Sequence, residues 1–436
     1  MRLVERQHIR RNHRDYEYCR KITHLSKNLY NAALYSSRQH FFDTKEYKGD
    51  YAIINDFTKE NNGDYRALPT KVAKQTVRQV HKDFSSFFSL LKMKLQGKYG
   101  KSVKIPSYKD KSGYAVVTFP KESIGKKPLY NPEKGMYIHT VCGRDKNFRF
   151  SFHSSHKNID SARIIPKQGG DFFILEVIYS VEEPPLVEDN GRYASIDLGV
   201  NNIMSVFFNC TSESMLINGR PVKSINQFYN KKKAKMYGEL SLCQNISVEN
   251  GGGYQNKAKH YDSKRLRKLN SDRNNKINDS LHKITRFLVN HIVSLDVSKV
   301  IIGNNIGWKQ DIKIGKRNNQ TFVGIPHSTI ISMLEYKLRL VGIELITTEE
   351  SYTSKCSALD REKIGKHGKY TGRRIRRGLF RTGDGTLVNA DINGAINIMR
   401  KVFPDESIYF DGIEDAAVHP RRYNVLLNQK QCMSKN

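Results

Sequence analysis

The 436 residues carry 74 Lys+Arg against 43 Asp+Glu, a formal net charge of +31 with a pI near 9.8, which points to a polyanionic partner, nucleic acid first. The length suffices for two or three domains with a sizeable core, and the scattered Cys19, Cys142, Cys210, Cys243, Cys356 and Cys432 argue against a disulfide framework. No apolar run approaches the ~20 residues of a membrane-spanning helix, and the N-terminus Met1-Arg-Leu-Val-Glu-Arg-Gln-His8 lacks the apolar core of a signal peptide, so a cytoplasmic protein is expected.

Residues 1–110 read as mainly helical. Leu25, Leu29, Tyr30, Ala33, Leu34 and Phe41 fall near helical spacing; after Pro69, so do Val72, Ala73, Val77, Val80, Phe84, Phe87, Phe88 and Leu91. These stripes read as core, with lysines and arginines on the polar faces available to phosphates. From Tyr114 to about residue 180, β-branched and aromatic runs such as Met136-Tyr-Ile-His139 and Phe148-Arg-Phe-Ser-Phe-His153 alternate with Gly and Pro breaks. A small β-barrel is expected, with residues 1–10 as its first strand and the helices as an insertion.

Pro184-Pro185 and Glu188-Asp-Asn-Gly191 mark a boundary. Beyond it, Ala194-Ser-Ile-Asp-Leu-Gly-Val-Asn-Asn202 reads as a buried strand ending on Asp197 before a glycine turn. Asp197 either opens that turn or meets a cation, because a lone carboxylate there is costly. Two basic segments, 223–242 and 257–294, flank Gly251-Gly-Gly253, and the second acquires an apolar face at Leu281, Ile284, Phe287, Leu288 and Ile292. Strand Val300-Ile-Ile302, a helix opened by Pro326 and strand Gly342-Ile-Glu-Leu-Ile346 form an α/β unit of parallel sense, so its strand ends share an edge with Asp197. Late in the chain, Asn389-Ala-Asp-Ile-Asn-Gly-Ala-Ile-Asn397 places Asp391 at a helix start, as a cap or as a second ligand. One Asp closing a strand and another starting a late helix is the arrangement of the RuvC or ribonuclease-H-like nucleases, which hold two divalent ions between carboxylates.

Ser195-Ile-Asp-Leu-Gly-Val-Asn-Asn202, Gly307-Trp-Lys-Gln310, Lys316-Arg-Asn-Asn-Gln320, Tyr352-Thr-Ser-Lys-Cys-Ser357 and the Asn389–Asn397 run together make the chain resemble the TnpB family. These are transposon-encoded RNA-guided DNA endonucleases related to the small type V CRISPR effectors. The resemblance implies an α/β plus β-barrel fold: a wedge-type β-barrel (1–10 and 111–185) carrying a helical recognition insert (11–110). A RuvC-like nuclease domain (192–400) follows, interrupted by basic helices 223–294 and a degenerate ribbon loop 356–388, with 401–436 as a basic tail. It also implies a guide RNA, a double-stranded DNA target read through the RNA/DNA heteroduplex, and Mg as cofactor, two ions held by Asp197, Asp391 and a glutamate. A monomer with one guide is expected.

Two departures from the family pattern matter. The usual middle glutamate follows the strand matching Val300-Ile-Ile302, yet this chain has Gly303-Asn-Asn305 there. Glu350, with Glu349 in reserve, stands at the end of the next parallel strand and is the expected third catalytic and metal-binding carboxylate. The family's zinc ribbon lacks its ligand set: Cys356 has no second cysteine at ligand spacing, and only His367 is near, so no zinc is expected. The arginine-rich stretch 361–381 is expected to order only on nucleic acid. Trp308 and Tyr352 are candidate stacking platforms. The alternatives are a nuclease-dead RNA-guided repressor, a strand-joining transposase and a CRISPR-array-guided miniature effector.

Overall fold

The computed structural model describes residues 1–141, 149–244, 263–304 and 324–426, with the side chains of 241–244 left out. The Gly251–Gly253 break, the stretches Gly307–Gln310 and Lys316–Gln320, and Trp308 lie outside the described residues. The chain divides into two compact units, Met1–Glu182 and Glu183–Asn436.

In the first unit, β1 (Arg2–Ile9) is followed by four helices, α1 (Tyr16–Thr44), α2 (Asp50–Lys59), α3 (Gly63–Arg66) and α4 (Thr70–Leu95). Strands β2 (Val117–Pro120), β3 (Leu129–Asn131), β4 (Met136–Val141), β5 (Phe150–Ser154), β6 (Ser161–Lys167) and β7 (Phe172–Ser180) come after them. β1 pairs antiparallel with β7 along its whole length, in a sheet of order β1-β7-β6-β2, while β3, β4 and β5 make a second sheet. The Ile124–Val141 bridge ties β4 to the segment that follows β2, and Ser154 Oγ donates to Glu5 at 2.8 Å, drawing β5 beside β1. The α4 stripe is core: Val72, Ala73, Val77, Val80 and Phe84 are fully buried. Truncating Phe84 to Ala would cost about 3–5 kcal/mol.

The second unit opens with β8 (Tyr193–Leu198), β9 (Asn202–Phe208) and β10 (Met215–Asn218). Two long helices follow, α5 (Arg220–Gln244) and α6 (Lys264–Ser294), then β11 (Lys299–Gly303), α7 (His327–Arg339) and β12 (Glu344–Thr348). Next come β13 (Arg373–Arg376), β14 (Leu379–Arg381), β15 (Leu387–Asn389), α8 (Ala390–Arg400), α9 (Ile413–Val418) and β16 (Arg421–Tyr423). The main sheet runs β12-β11-β8-β9-β10-β16. β8, β11 and β12 are parallel, whereas β8–β9 and β9–β10 are antiparallel. The middle of β11, Val300-Ile-Ile302, is fully buried, as expected of a parallel strand covered on both faces.

The structure differs from the sequence reading in two places. The ribbon stretch is not a bare loop, because β13, β14 and β15 form an antiparallel sheet closed over buried Phe380. Nor are residues 401–426 a tail: Ile408, Ile413, Ala416 and Ala417 are buried, and β16 adds a parallel edge strand to β10. In both stretches frequent charges mask a few apolar anchors that fix the backbone.

Candidate active site

Three parallel strands deliver their carboxyl ends to one edge. Ile196, Ile302 and Thr347 are in register across β8, β11 and β12, so the residues just beyond, Asp197, Gly303 and Thr348, stand level. The turn after Asp197 is closed by Gly199 N–H donating to Ile203 O at 3.3 Å. A Cβ at Gly199 would meet Asn202 O at 2.5 Å, so only glycine allows a return this tight.

Helix α8 brings the second aspartate over that edge. Asn389 caps it, its side chain accepting from the N–H groups of Asp391 and Ile392. The cap reading of Asp391 therefore fails, and its carboxylate is left for other work. Asp391, Gly394 and Ile398 recur at helical spacing on one face. A Cβ at Gly394 would lie 3.0 Å from Asp197 Oδ2, and Ser195 Oγ donates to Ala395 O at 2.6 Å, so α8 sits directly on the end of β8.

Glu350 enters from β12, two residues past Thr348. A Cβ at Gly303 would stand 2.8 Å from Glu350 Oε2 and 2.8 Å from Ile398 Cδ1. The missing side chain at 303 thus makes the space that the Glu350 carboxylate fills. Glu350 is half-buried, whereas Glu349 is exposed, its backbone carbonyl accepting from Lys401 Nζ at 2.8 Å. The structure brings Asp197, Glu350 and Asp391 into one cluster and leaves Glu349 outside it.

Charge in the cluster is frustrated. Burial first, then the negative charges of Glu350 and Asp391, push the Asp197 carboxyl well above the usual carboxylate range, with Arg374 opposing the rise. Burial also raises Glu350, against the pull of Lys401. Asp391 is held aside: Oδ2 accepts from Asn202 Nδ2 at 2.8 Å, and Oδ1 faces Arg374 Nη2 at 3.3 Å. Among the described residues, no three potential ligands stand close enough together to coordinate one metal ion directly. The donor set nevertheless suits a hard divalent cation, being three carboxylates on rigid elements whose mutual repulsion such an ion would relieve.

A family model described as OrfB_IS605, "Probable transposase", matches residues 176–309, which contain Asp197. A second, described as the Cas12f1-like TNB domain, matches residues 327–398, which contain Glu350 and Asp391. The TnpB-like protein ORF457 of Acidianus two-tailed virus is 24% identical over 419 residues, covering 88% of this chain and 82% of that protein. The chain is related to the TnpB family. Among solved structures, the Cas12f1–sgRNA–target DNA complex matches with a TM-score of 0.55 at 16% identity, over 88% of this chain and 82% of that one. At that identity the likeness shows the fold alone, a mixed α/β fold shared with that Cas12f1 chain.

In this TnpB relative the ribbon is organised by a carboxylate. Glu362 accepts from the N–H of Ser357 at 2.7 Å and of Thr371 at 2.8 Å, pinning both ends of the turn. Asp360 accepts from Gly383 N–H at 2.7 Å. Asn393 and Asn397, on α8, donate to Cys356 O at 2.9 and 2.8 Å. The Cys356 thiol is buried and points at the carbonyls of Lys363 and Gly365. Tyr352 has a left-handed backbone, φ 63°, and is partly exposed beside the site. Sequence reasoning missed Arg374, Asn202 and Lys401 as neighbours of the cluster. For Asn202 the signal was present, since it stands inside the same motif as Asp197.

Proposed function

We propose that the chain is an RNA-guided DNA endonuclease whose RuvC-type site is built from Asp197, Asp391 and a glutamate relocated to β12, Glu350. The observation that carries this reading is the seating of Glu350 over Gly303, at the parallel strand edge that Asp197 and Asp391 share. Asp197, Glu350 and Asp391 would hold two Mg ions, which when bound supply water activation and charge neutralisation for in-line phosphodiester hydrolysis. Asn202 orients Asp391, and Arg374 holds positive charge where a phosphate would enter. Burial first, then the charges of Glu350 and Asp391, raise the proton affinity of Asp197, and a bound cation would oppose that rise.

On this reading the strands of the first unit form the wedge-type barrel, with β1 returning across the helical insert, and the helices are the recognition insert that reads a short motif beside the target. A guide RNA supplies sequence specificity by pairing with one strand of double-stranded DNA, while the protein holds backbone and heteroduplex shape. The net charge of +31 suits both polyanions. The test is to purify the protein with its co-expressed flanking RNA and assay Mg-dependent cleavage of a matched DNA library. Wild type should cut, and Asp197→Ala and Glu350→Ala should not. Guide-dependent binding without cleavage by wild type would replace this reading with that of a guided repressor, and cleavage surviving Glu350→Ala would remove the glutamate from the site.

A further inference from the structure

Away from the carboxylate cluster, α5 and α6 line an open pocket of about 330 Å³. Phe228 stands at its rim with 56% of its surface exposed, leaving much of the ring open to a stacking partner. The surroundings are cationic. Lys232 Nζ lies 5.7 Å from the Phe228 ring centroid, and Lys233 Nζ and the Arg273 guanidinium lie 5.8 and 5.4 Å from that of Tyr229. The walls are held in place by their own bonds: Tyr229 Oη donates to Asn270 Oδ1 at 2.5 Å, and Arg273 donates to Asn226 Oδ1 at 2.8 Å and to Gly324 O at 3.0 Å. One acid, the exposed Asp272, shares this lining with Lys276 and Ser224. Among the described residues no cation pairs with Asp272.

We propose that this pocket takes one unstacked base of a single-stranded RNA, stacked on Phe228, with the flanking phosphates on Lys232 and Lys276. The cavity holds a nucleobase with room for the sugar, and aromatic faces beside cations are what single-stranded nucleic acid binds. Asp272 favours RNA over DNA: its exposed carboxylate repels phosphate and can accept from a 2′-hydroxyl, the donor that RNA has and DNA lacks. The inference rests on the RNA-guided reading for the origin of the strand, not for its chemistry.

The test uses the full chain in EDTA, with 12-nucleotide single-stranded oligoadenylate as RNA and as DNA, followed by fluorescence anisotropy. Wild type should prefer the RNA. Phe228→Ala should weaken RNA binding by about five- to tenfold, and Phe228→Trp should restore it, as expected when stacking carries the contact. Asp272→Asn should narrow the gap between RNA and DNA. A 4-thiouridine placed in the RNA should crosslink to the peptide bearing Phe228. Equal wild-type affinity for both oligomers, or Phe228→Ala within twofold of wild type, would overturn the proposal. Because no DNA is cut in this assay, its failure leaves the nuclease reading standing, and a failed cleavage assay leaves the pocket standing.

Discussion

Arg374 Nη2 stands 3.3 Å from Asp391 Oδ1, so in the protein alone a guanidinium occupies the flank of the carboxylate that the proposed ions need. Both side chains are partly exposed, and such a pair is worth about 1 kcal/mol or less. Arg374→Ala is therefore expected to tighten Mn²⁺ binding to the nucleic-acid-free protein by about two- to fivefold, measured by the loss of the free-ion EPR signal. Unchanged or weaker binding would show that Arg374 does not compete with the cation.

Gly303 and Glu350 share one space. Gly303→Ala places a methyl group 2.8 Å from Glu350 Oε2 and should lower Mg-dependent cleavage by displacing that carboxylate. Glu350→Gln should cost more than the about 100-fold that loss of an outer-shell partner brings. The double variant Gly303→Glu with Glu350→Gly, which returns the acid to β11, is expected to recover part of the activity that either single change removes. Single-turnover cleavage of a matched DNA duplex reads all three, and a double variant no better than the singles would argue against a shared seat.

Glu362→Ala removes the acceptor for the N–H of Ser357 and Thr371. Ser357 is fully buried, so its orphaned donor should cost about 1–3 kcal/mol. Hydrogen exchange is expected to quicken across residues 357–371 and to stay unchanged in β8 and β11. Treating wild type with a zinc chelator should leave the same amides as protected as before. Deprotection by the chelator would mean that a metal, not Glu362, holds this segment.

Lys337 is buried, donating to His282 O at 2.8 Å and Thr285 Oγ1 at 2.6 Å. Burial, then nearby Arg286, pushes its ammonium down to about 8 from 10.5. Below about pH 8 the folded state bears the whole cost of the buried charge. As pH rises from about 8 to 10.5 the folded state gives up its proton while the unfolded state keeps it, so stability rises across that window. The difference in urea midpoint between wild type and Lys337→Met should move in favour of wild type over that range, and a flat difference would place the proton elsewhere.

The places of the proposed ligands were partly legible before the fold. Asp197 and Asp391 stand out from strand and helix patterns, and Glu350 from the resemblance, which implies a third carboxylate that β11 does not offer while the end of the next parallel strand does. Its reserve, Glu349, could be told from it only by the pleat, since successive side chains on an extended segment point opposite ways. Arg374 was hidden for another reason. Many arginines and lysines crowd 361–381, and only the register of β13 against β14 says which one turns toward Asp391. The last strand was hidden as well, because β16 is three residues long, reads Arg-Arg-Tyr and owes its place to the edge of β10.

Because β11 and β12 lie side by side, with Asn304 N–H donating to Thr348 O at 2.8 Å, a carboxylate carried just past the end of either strand can arrive at the same point in space. Gly303 leaves that point free, and a side chain there would collide with the Glu350 carboxylate already in place. A column-by-column scan for a glutamate just after β11 would find only Gly303-Asn-Asn305 in this chain. Scanning the strand edge instead finds the carboxylate one lane over.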